Sequence, residues 1–343
     1  MPGRDGDNIV IRYIERRGAR QRPAGQPMRK LRLLPAIRDA LATAGLLLGV
    51  TSAAFAMAEH ASLVRVANIY VAPDSSSAKL AEVERGRELV ILETSRDWLH
   101  VQALLGEEKM LTGWILDKGV VRPSTPDGDK VLYGAAVDSE DVASRPHGRR
   151  GADKDALRLY YRVFDLFPDS TYAGEALYRA ADIRWQVERI DVMSRGSARE
   201  RDPYFREGMN EDWMREVMKK FPGTRWADLA AFHLIENKLC GDWQGSTKCP
   251  DKEADMYEKY ATERPRSPAA AQALYLAATR RAAMVEMYKS EDNKKKSDES
   301  RQKALALTEI IVKNYSESDW APRAQALMFL VQQGVPTYGN EVE

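Results

Sequence analysis

The chain has only two cysteines and four histidines among its 343 residues. His60, His100, His147 and His233 lie in four unlike stretches, and no HExxH, GxSxG, Walker loop or glycine-rich dinucleotide turn occurs. A zinc protease, a serine hydrolase and a nucleotide-binding fold therefore have no support, and neither metal nor cofactor is expected. Net charge is missing too: 52 basic residues face 51 acidic ones, so the overall field gives no reason to expect nucleic acid as a partner. The apolar run from Leu41 to Ala56 is shorter than the roughly 20 residues that cross a bilayer. What remains, 44% hydrophobic and 30% charged residues, is the composition of a folding chain, and its length suggests two domains.

From Met28 the sequence reads MRKLRLLPAIRDALATAGLLLGVTSAAFA. A basic start (Arg29, Lys30, Arg32), an apolar stretch and Ala54-Phe55-Ala56 follow the order of a secretory signal peptide. Residues 28–58 are expected to be that signal, cleaved after Ala56 or Ala58, which places the mature protein in the periplasm or another extracytoplasmic compartment with no stable membrane span. No cysteine adjoins the cleavage site, so a lipid anchor there has no support. Residues 1–27, with Arg16, Arg17, Arg20 and Arg22, precede a complete signal and read as an upstream extension not native to the protein. Export bears on Cys240 and Cys249 in LCGDWQGSTKCP. In an oxidising compartment a disulfide hairpin is the favoured reading, with two separate thiols or half a metal site as alternatives.

Residues 62–122 hold short runs rich in Val, Ile, Leu and Trp, broken by PDSSS, RG, SRD and GEE, the pattern of small strands joined by turns. Leu99 and Val101 fall on one side of a strand and Trp98 and His100 on the other, and one set should be core. The order RVANIYVAPDSSSAKLAEVERGRELVILE, DWLHV, TGWI resembles a bacterial SH3 domain over about sixty residues. The agreement lies at Pro73 with its Ser-rich turn, Gly86, Asp97 to Val101, and Gly113-Trp114-Ile115. The resemblance implies a small β-barrel that binds wall peptide or protein as an accessory. The family's Asn-x-Arg is replaced by Asn68-Ile69-Tyr70, so a ligand role for that arginine does not carry over. Tyr70, Trp98 and Trp114 are the aromatics that could line a groove, although the ordinary fate of a strand tryptophan is core, and core is the expectation for each.

Residues 123–150 contain PSTPDGD and SRPHGRRGAD and read as a linker, interrupted by a short helix around Lys130 to Val137. Beyond Ala152 the hydrophobic period becomes 3.6. Leu157, Tyr160, Tyr161, Phe164 and Phe167 lead to Pro168, Ser170, Ala173, Ala176 and Ala180. A disguised version returns at Met214 to Phe221 with Pro222, Thr224, Ala227 and Ala230, and at Tyr257 and Tyr260 with Pro265, Ser267, Ala270 and Ala273. The last copy runs from Leu307, Ile311 and Tyr315 to Ser318, Ala321 and Ala324. Each copy reads as a helical hairpin whose alanines let two helices approach closely.

This aromatic, Pro, x, Ser/Thr, x, x, Ala, x, x, Ala series over residues 151–335 resembles the tetratricopeptide-like arrays of periplasmic proteins, notably outer-membrane assembly lipoproteins and the coordinator of the Tol-Pal system. The expected fold is thus multidomain α and β: an SH3-like barrel, then an all-α array of helical hairpins, with 336–343 as a tail. The repeat spacing exceeds the 34 residues of a plain tetratricopeptide, and MSRGSARERDPYFREG, CGDWQGSTKC and KSEDNKKKSDES are expected as polar insertions. Lys294 to Lys296 read as solvated, and Asp251, Glu253 and Asp255 as helix-start charges that answer the macrodipole.

For catalysis, the nearest approach is a Cys240 thiol beside His233, which a disulfide would consume. The function expected is a non-catalytic envelope adaptor, its repeats binding proteins and its barrel binding wall peptide or protein. The alternative is an accessory or targeting subunit of a cell-wall hydrolase.

Overall fold

In a computed structural model the protein is described over residues 59–106 and 109–338; the expected upstream extension and signal peptide, and the end of the expected tail, lie outside the described residues. The chain divides after Arg122 into two compact units.

The first unit is a curled antiparallel half-barrel of seven strands in the order β3-β2-β6-β5-β4-β1-β7. The strands are β1 (Glu59–Leu63), β2 (Ala67–Tyr70), β3 (Lys79–Val83), β4 (Glu88–Ser95), β5 (Trp98–Leu105), β6 (Lys109–Leu116) and β7 (Val120–Val121). Alternation decides the core: Leu99, Val101 and Ala103 of β5 are fully buried and join Ile69, Leu89 and Ile115, while Trp98, His100 and Gln102 face outward. Gly113 belongs to this inner surface because a Cβ there would stand 2.5 Å from Ile69 Cγ2 and 2.7 Å from the Tyr70 carbonyl oxygen. Only glycine lets β2 cross β6 so closely.

The second unit holds nine α-helices among the described residues. They are α1 (Gly128–Ser144), α2 (Ala152–Leu166), α3 (Ala173–Met193), α4 (Asp212–Lys220), α5 (Arg225–Glu236), α6 (Lys248–Glu263), α7 (Ala270–Ser290), α8 (Lys294–Asn314) and α9 (Trp320–Gln333). Each packs against its neighbours in sequence. The helices α2, α4, α6 and α8 end alike: Phe167, Phe221, Arg264 and Tyr315 have φ of −132°, −126°, −132° and −133° and ψ of 61°, 53°, 59° and 39°. In all four the hydroxyl residue three positions on donates its N–H to that residue's carbonyl, Ser170, Ser267 and Ser318 at 3.0 Å and Thr224 at 3.4 Å. The sequence series therefore encodes one turn, built four times. Its alanines, Ala173, Ala176 and Ala180 on α3 and their counterparts Ala227, Ala230, Ala270, Ala273, Ala321 and Ala324, are all buried. With no side chain beyond Cβ, they let paired helices close to contact distance.

Three regions differ from expectation. The stretch 123–150 is mainly α1, seventeen residues long, which packs on α2, with Leu132 and Ala136 fully buried and Ser170 Oγ donating to Asp129 at 2.6 Å. The Pro and Gly signals that suggested a linker mark only its two ends. Lys294 to Lys296 are the first turn of α8 rather than an insertion. Three lysines oppose the macrodipole there, and Lys294–Asp298 at 2.6 Å and Lys295–Glu299 at 4.0 Å provide the i,i+4 pairs that offset it, while Asn293 accepts the Lys296 N–H as cap. The described start of the tail, finally, folds back: Tyr338 packs on Trp243.

Candidate functional site

On the outer surface of the half-barrel, strand register brings four rings together. Tyr70 of β2 lies opposite Trp114 of β6, and Trp114 lies opposite His100 of β5. The His100 and Trp114 rings stack, centroids 4.8 Å apart and planes 19° from parallel. Trp98, two residues before His100 on the same side of β5, meets Tyr70 edge-on at 5.6 Å and 88°. Glu93 of β4 stands opposite His100 and is exposed, so a carboxylate borders the row. The structure thus joins Tyr70, Trp98 and Trp114 but overturns their assignment to the core: each is only partly buried. Leu99, Val101 and Ile115, one step away in the alternation, fill the core instead. His100 was visible on the Trp98 side of its strand, yet its pairing with Trp114 depends on strand register, which one sequence does not display. Half-buried, mutually packed rings form a rigid apolar surface with polar tips, suited to stacking on a ligand and short of reactive groups.

In the helical unit the most organised polar site surrounds the disulfide Cys240–Cys249, which takes up both thiols. This closes the thiol-nucleophile reading. Glu253, 1% exposed, is its hub: Oε1 accepts the Cys240 N–H at 2.8 Å and the Trp243 indole N–H at 3.3 Å, and Oε2 accepts Arg280 Nε–H at 2.7 Å. On the same helix Asp251, Asp255 and Glu258 surround Arg281, 2% exposed, and hold its guanidinium above its already high pKa against the cost of burial. The sequence alone explains Asp251, Glu253 and Asp255 by the macrodipole. Their true partners, Arg280 and Arg281, lie on α7 some 25 to 30 positions later, a tertiary contact that local rules cannot see.

His233 of α5 lies 3.2 Å from both Tyr178 Oη and Asp182 Oδ1 of α3. Burial lowers its pKa, opposed by the Asp182 and Glu236 charges. Trp185 donates its indole N–H to Glu236 at 2.9 Å, which ties the same two helices. The cluster is a hydrogen-bonded seam between second helices of successive hairpins. Elsewhere, the insertion between α3 and α4 presents Tyr204 and Phe205, 88% and 72% exposed. Among the described residues no helix is long and apolar enough to cross a membrane. No protein-family model matches the chain, and no curated protein matches it.

Proposed function

We propose that the protein is a non-catalytic adaptor of the bacterial cell envelope, with a bacterial SH3-like half-barrel that recognises wall peptide or protein and a tetratricopeptide-like array that binds protein partners. The observation that carries this reading is the fourfold recurrence of one helix-turn-helix geometry, from Phe167 to Tyr315, in a chain that also carries an outward aromatic row on a separate β unit. Stacked hairpins bury their alanine stripes against one another and leave a long surface that grips segments of other proteins. The row Tyr70, Trp98, His100 and Trp114 supplies a second, separate contact, and two modest sites on one chain raise apparent affinity beyond either alone. Export through the signal at 28–58 belongs to the same proposal and rests on the sequence.

The test is co-sedimentation of the mature chain with purified peptidoglycan sacculi, beside a Trp98→Ala/Trp114→Ala variant. Retention of the wild type, at least about tenfold reduced in the variant with an unchanged melting temperature, is expected for a stacking surface. Retention equal in both would remove the ligand role of the row, and release of soluble wall fragments would replace the adaptor by an enzyme.

A further inference from the structure

After α9 the chain reverses. Gly334, at φ 71°, closes the helix in a left-handed turn, and Val335 donates its N–H back to Leu330 at 3.0 Å. The reversed segment carries Tyr338 to Trp243, with ring centroids 5.6 Å apart and planes at 39°. Both rings pack against Met284, Met287 and Tyr288, which are buried at three- and four-residue spacing along one side of α7.

The walls of this groove and its occupant are held very differently. Trp243 is fixed through its indole N–H to Glu253, and the Arg280 guanidinium stands 5.8 Å from the centre of its ring. Glu253 is anchored in turn by the Cys240 N–H beside the disulfide. The floor is methionine, whose flexible thioether adapts to rings of different shape. Past Val335 the occupying segment has no comparable anchor among the described residues. Pro336 has no N–H, and among the described residues Thr337 and Tyr338 make no hydrogen bond. Among the described residues, packing against Trp243 and the methionines is what holds Tyr338.

We propose that this groove is a binding site for an aromatic side chain on an extended segment of a partner protein, and that residues 335–338 occupy it in the free protein. The recognition chemistry is read from the resident: one ring packed on Trp243 and the methionines, carried by a segment that runs outside helix and strand through Pro336. The proposal deepens the adaptor reading by giving the array a ligand class. Its test uses only this chain's own segment, so its failure would leave that reading standing.

The probe is a synthetic peptide of residues 334–338 with benzoylphenylalanine in place of its tyrosine, a photoreactive group that attacks neighbouring C–H bonds, those of methionine included. It is irradiated with full-length wild type, with Tyr338→Ala, and with a chain ending at Gly334, which keeps the test open if the point variant misfolds. A tethered occupant competes at millimolar effective concentration. Labelling of Met284 or Met287 in the two variants is therefore expected to exceed wild type on the order of tenfold, and unmodified peptide should suppress it. Equal labelling of all three proteins, or labelling that avoids both methionines, would overturn the proposal. So would a wild-type dimer in sedimentation that Tyr338→Ala converts to monomer, because the occupant would then be a second copy's segment.

Discussion

Exchanging Glu253 for glutamine changes almost nothing in volume but removes the only arrangement that satisfies three donors at once. With the amide oxygen toward the Cys240 and Trp243 N–H groups, the new NH2 faces Arg280 Nε–H, which now has no acceptor. Turning the amide over restores Arg280 and sets the NH2 against the other two donors. Either way a buried donor is orphaned, and a charge-assisted bond worth about 1.5–3 kcal/mol is lost or weakened. Breaking a buried pair outright costs about 3–5 kcal/mol. Arg280 keeps 13% side-chain exposure, so water softens the loss, and about 2–3 kcal/mol is expected for Glu253→Gln.

In an array whose hairpins touch only their neighbours, that loss should be local. The assay is native-state hydrogen exchange. Amides of residues 240–243 and the first turns of α6 should exchange roughly 30- to 150-fold faster, the factor that 2–3 kcal/mol implies, while the strands keep their wild-type rates. A double-mutant cycle with Arg280→Met should return a coupling above about 1 kcal/mol. A stability change below about 0.5 kcal/mol, or acceleration spread evenly over both units, would refute the hub role of Glu253.

Three further outcomes follow from the same geometry. Gly113→Ala should destabilise the half-barrel by on the order of 2–3 kcal/mol in urea titration, because its Cβ meets the Tyr70 backbone as well as the Ile69 branch methyl, which a stiff χ1 holds in place; a neutral result would mean that β2 and β6 can separate freely. Cys240→Ser/Cys249→Ser should cost about 2–3 kcal/mol by chain entropy for so short a loop, and an unchanged melting curve would show that the hydrogen bonds to Glu253 suffice without the bridge. His233 has a folded pKa below its unfolded value near 6.5, so the unfolded state binds the extra proton and stability falls as pH drops below about 6.5. His233→Gln should flatten that slope in melts between pH 7 and 5, and an identical slope would rule out this histidine as the cause.

How much of this was legible in advance depended on whether the controlling contact was local. The turn at Phe167 to Ser170 is a sequence-local object, with a hydroxyl residue and alanines at fixed offsets in all four copies and a proline after the turn residue in three, so the copies could be placed from spacing alone. The strand alternation at Trp98 to Val101 was equally plain, but which side faces inward is decided by the neighbouring strands. Tryptophan's size argued for the core, whereas the buried cluster of the half-barrel is made of alanine, leucine, isoleucine and valine. In 123–150 the helix around Lys130 to Val137 was legible, but the flanking prolines and glycines argued for a linker on either side of it, and the partner that makes it seventeen residues long and packed, α2, was the missing information. The same holds for Asp251, Glu253 and Asp255, whose expected place at a helix start offered a sufficient local explanation and so concealed the arginines of α7, although only Asp251 lies in the first turn of α6.

The two long connections of the array pose the opposite case, since beyond one 3-10 turn at Gly196–Arg199 neither contains regular structure and yet both are fixed. Residues 194–211 and 237–249 pin each other. Asn237 accepts the Met209 N–H at 2.9 Å and donates to the Met209 carbonyl at 2.8 Å, and Gly241 donates its N–H to Glu200 at 3.0 Å. Arg206 donates to the Leu239 carbonyl at 2.6 Å. The turn shared by all four hairpins leaves the connections between hairpins free in length, so an insertion there does not disturb helix packing. Length alone, however, would bring the entropy of a floppy loop. Shortening the freedom of 237–249 by the disulfide, and then hydrogen-bonding 194–211 to it, lets one covalent constraint order two segments. Tyr204 and Phe205 are consequently held out at the end of a braced insertion, and the groove beside Trp243 lies against the same brace. Both surfaces are already ordered, which for any group seated there would remove much of the conformational cost that binding otherwise carries.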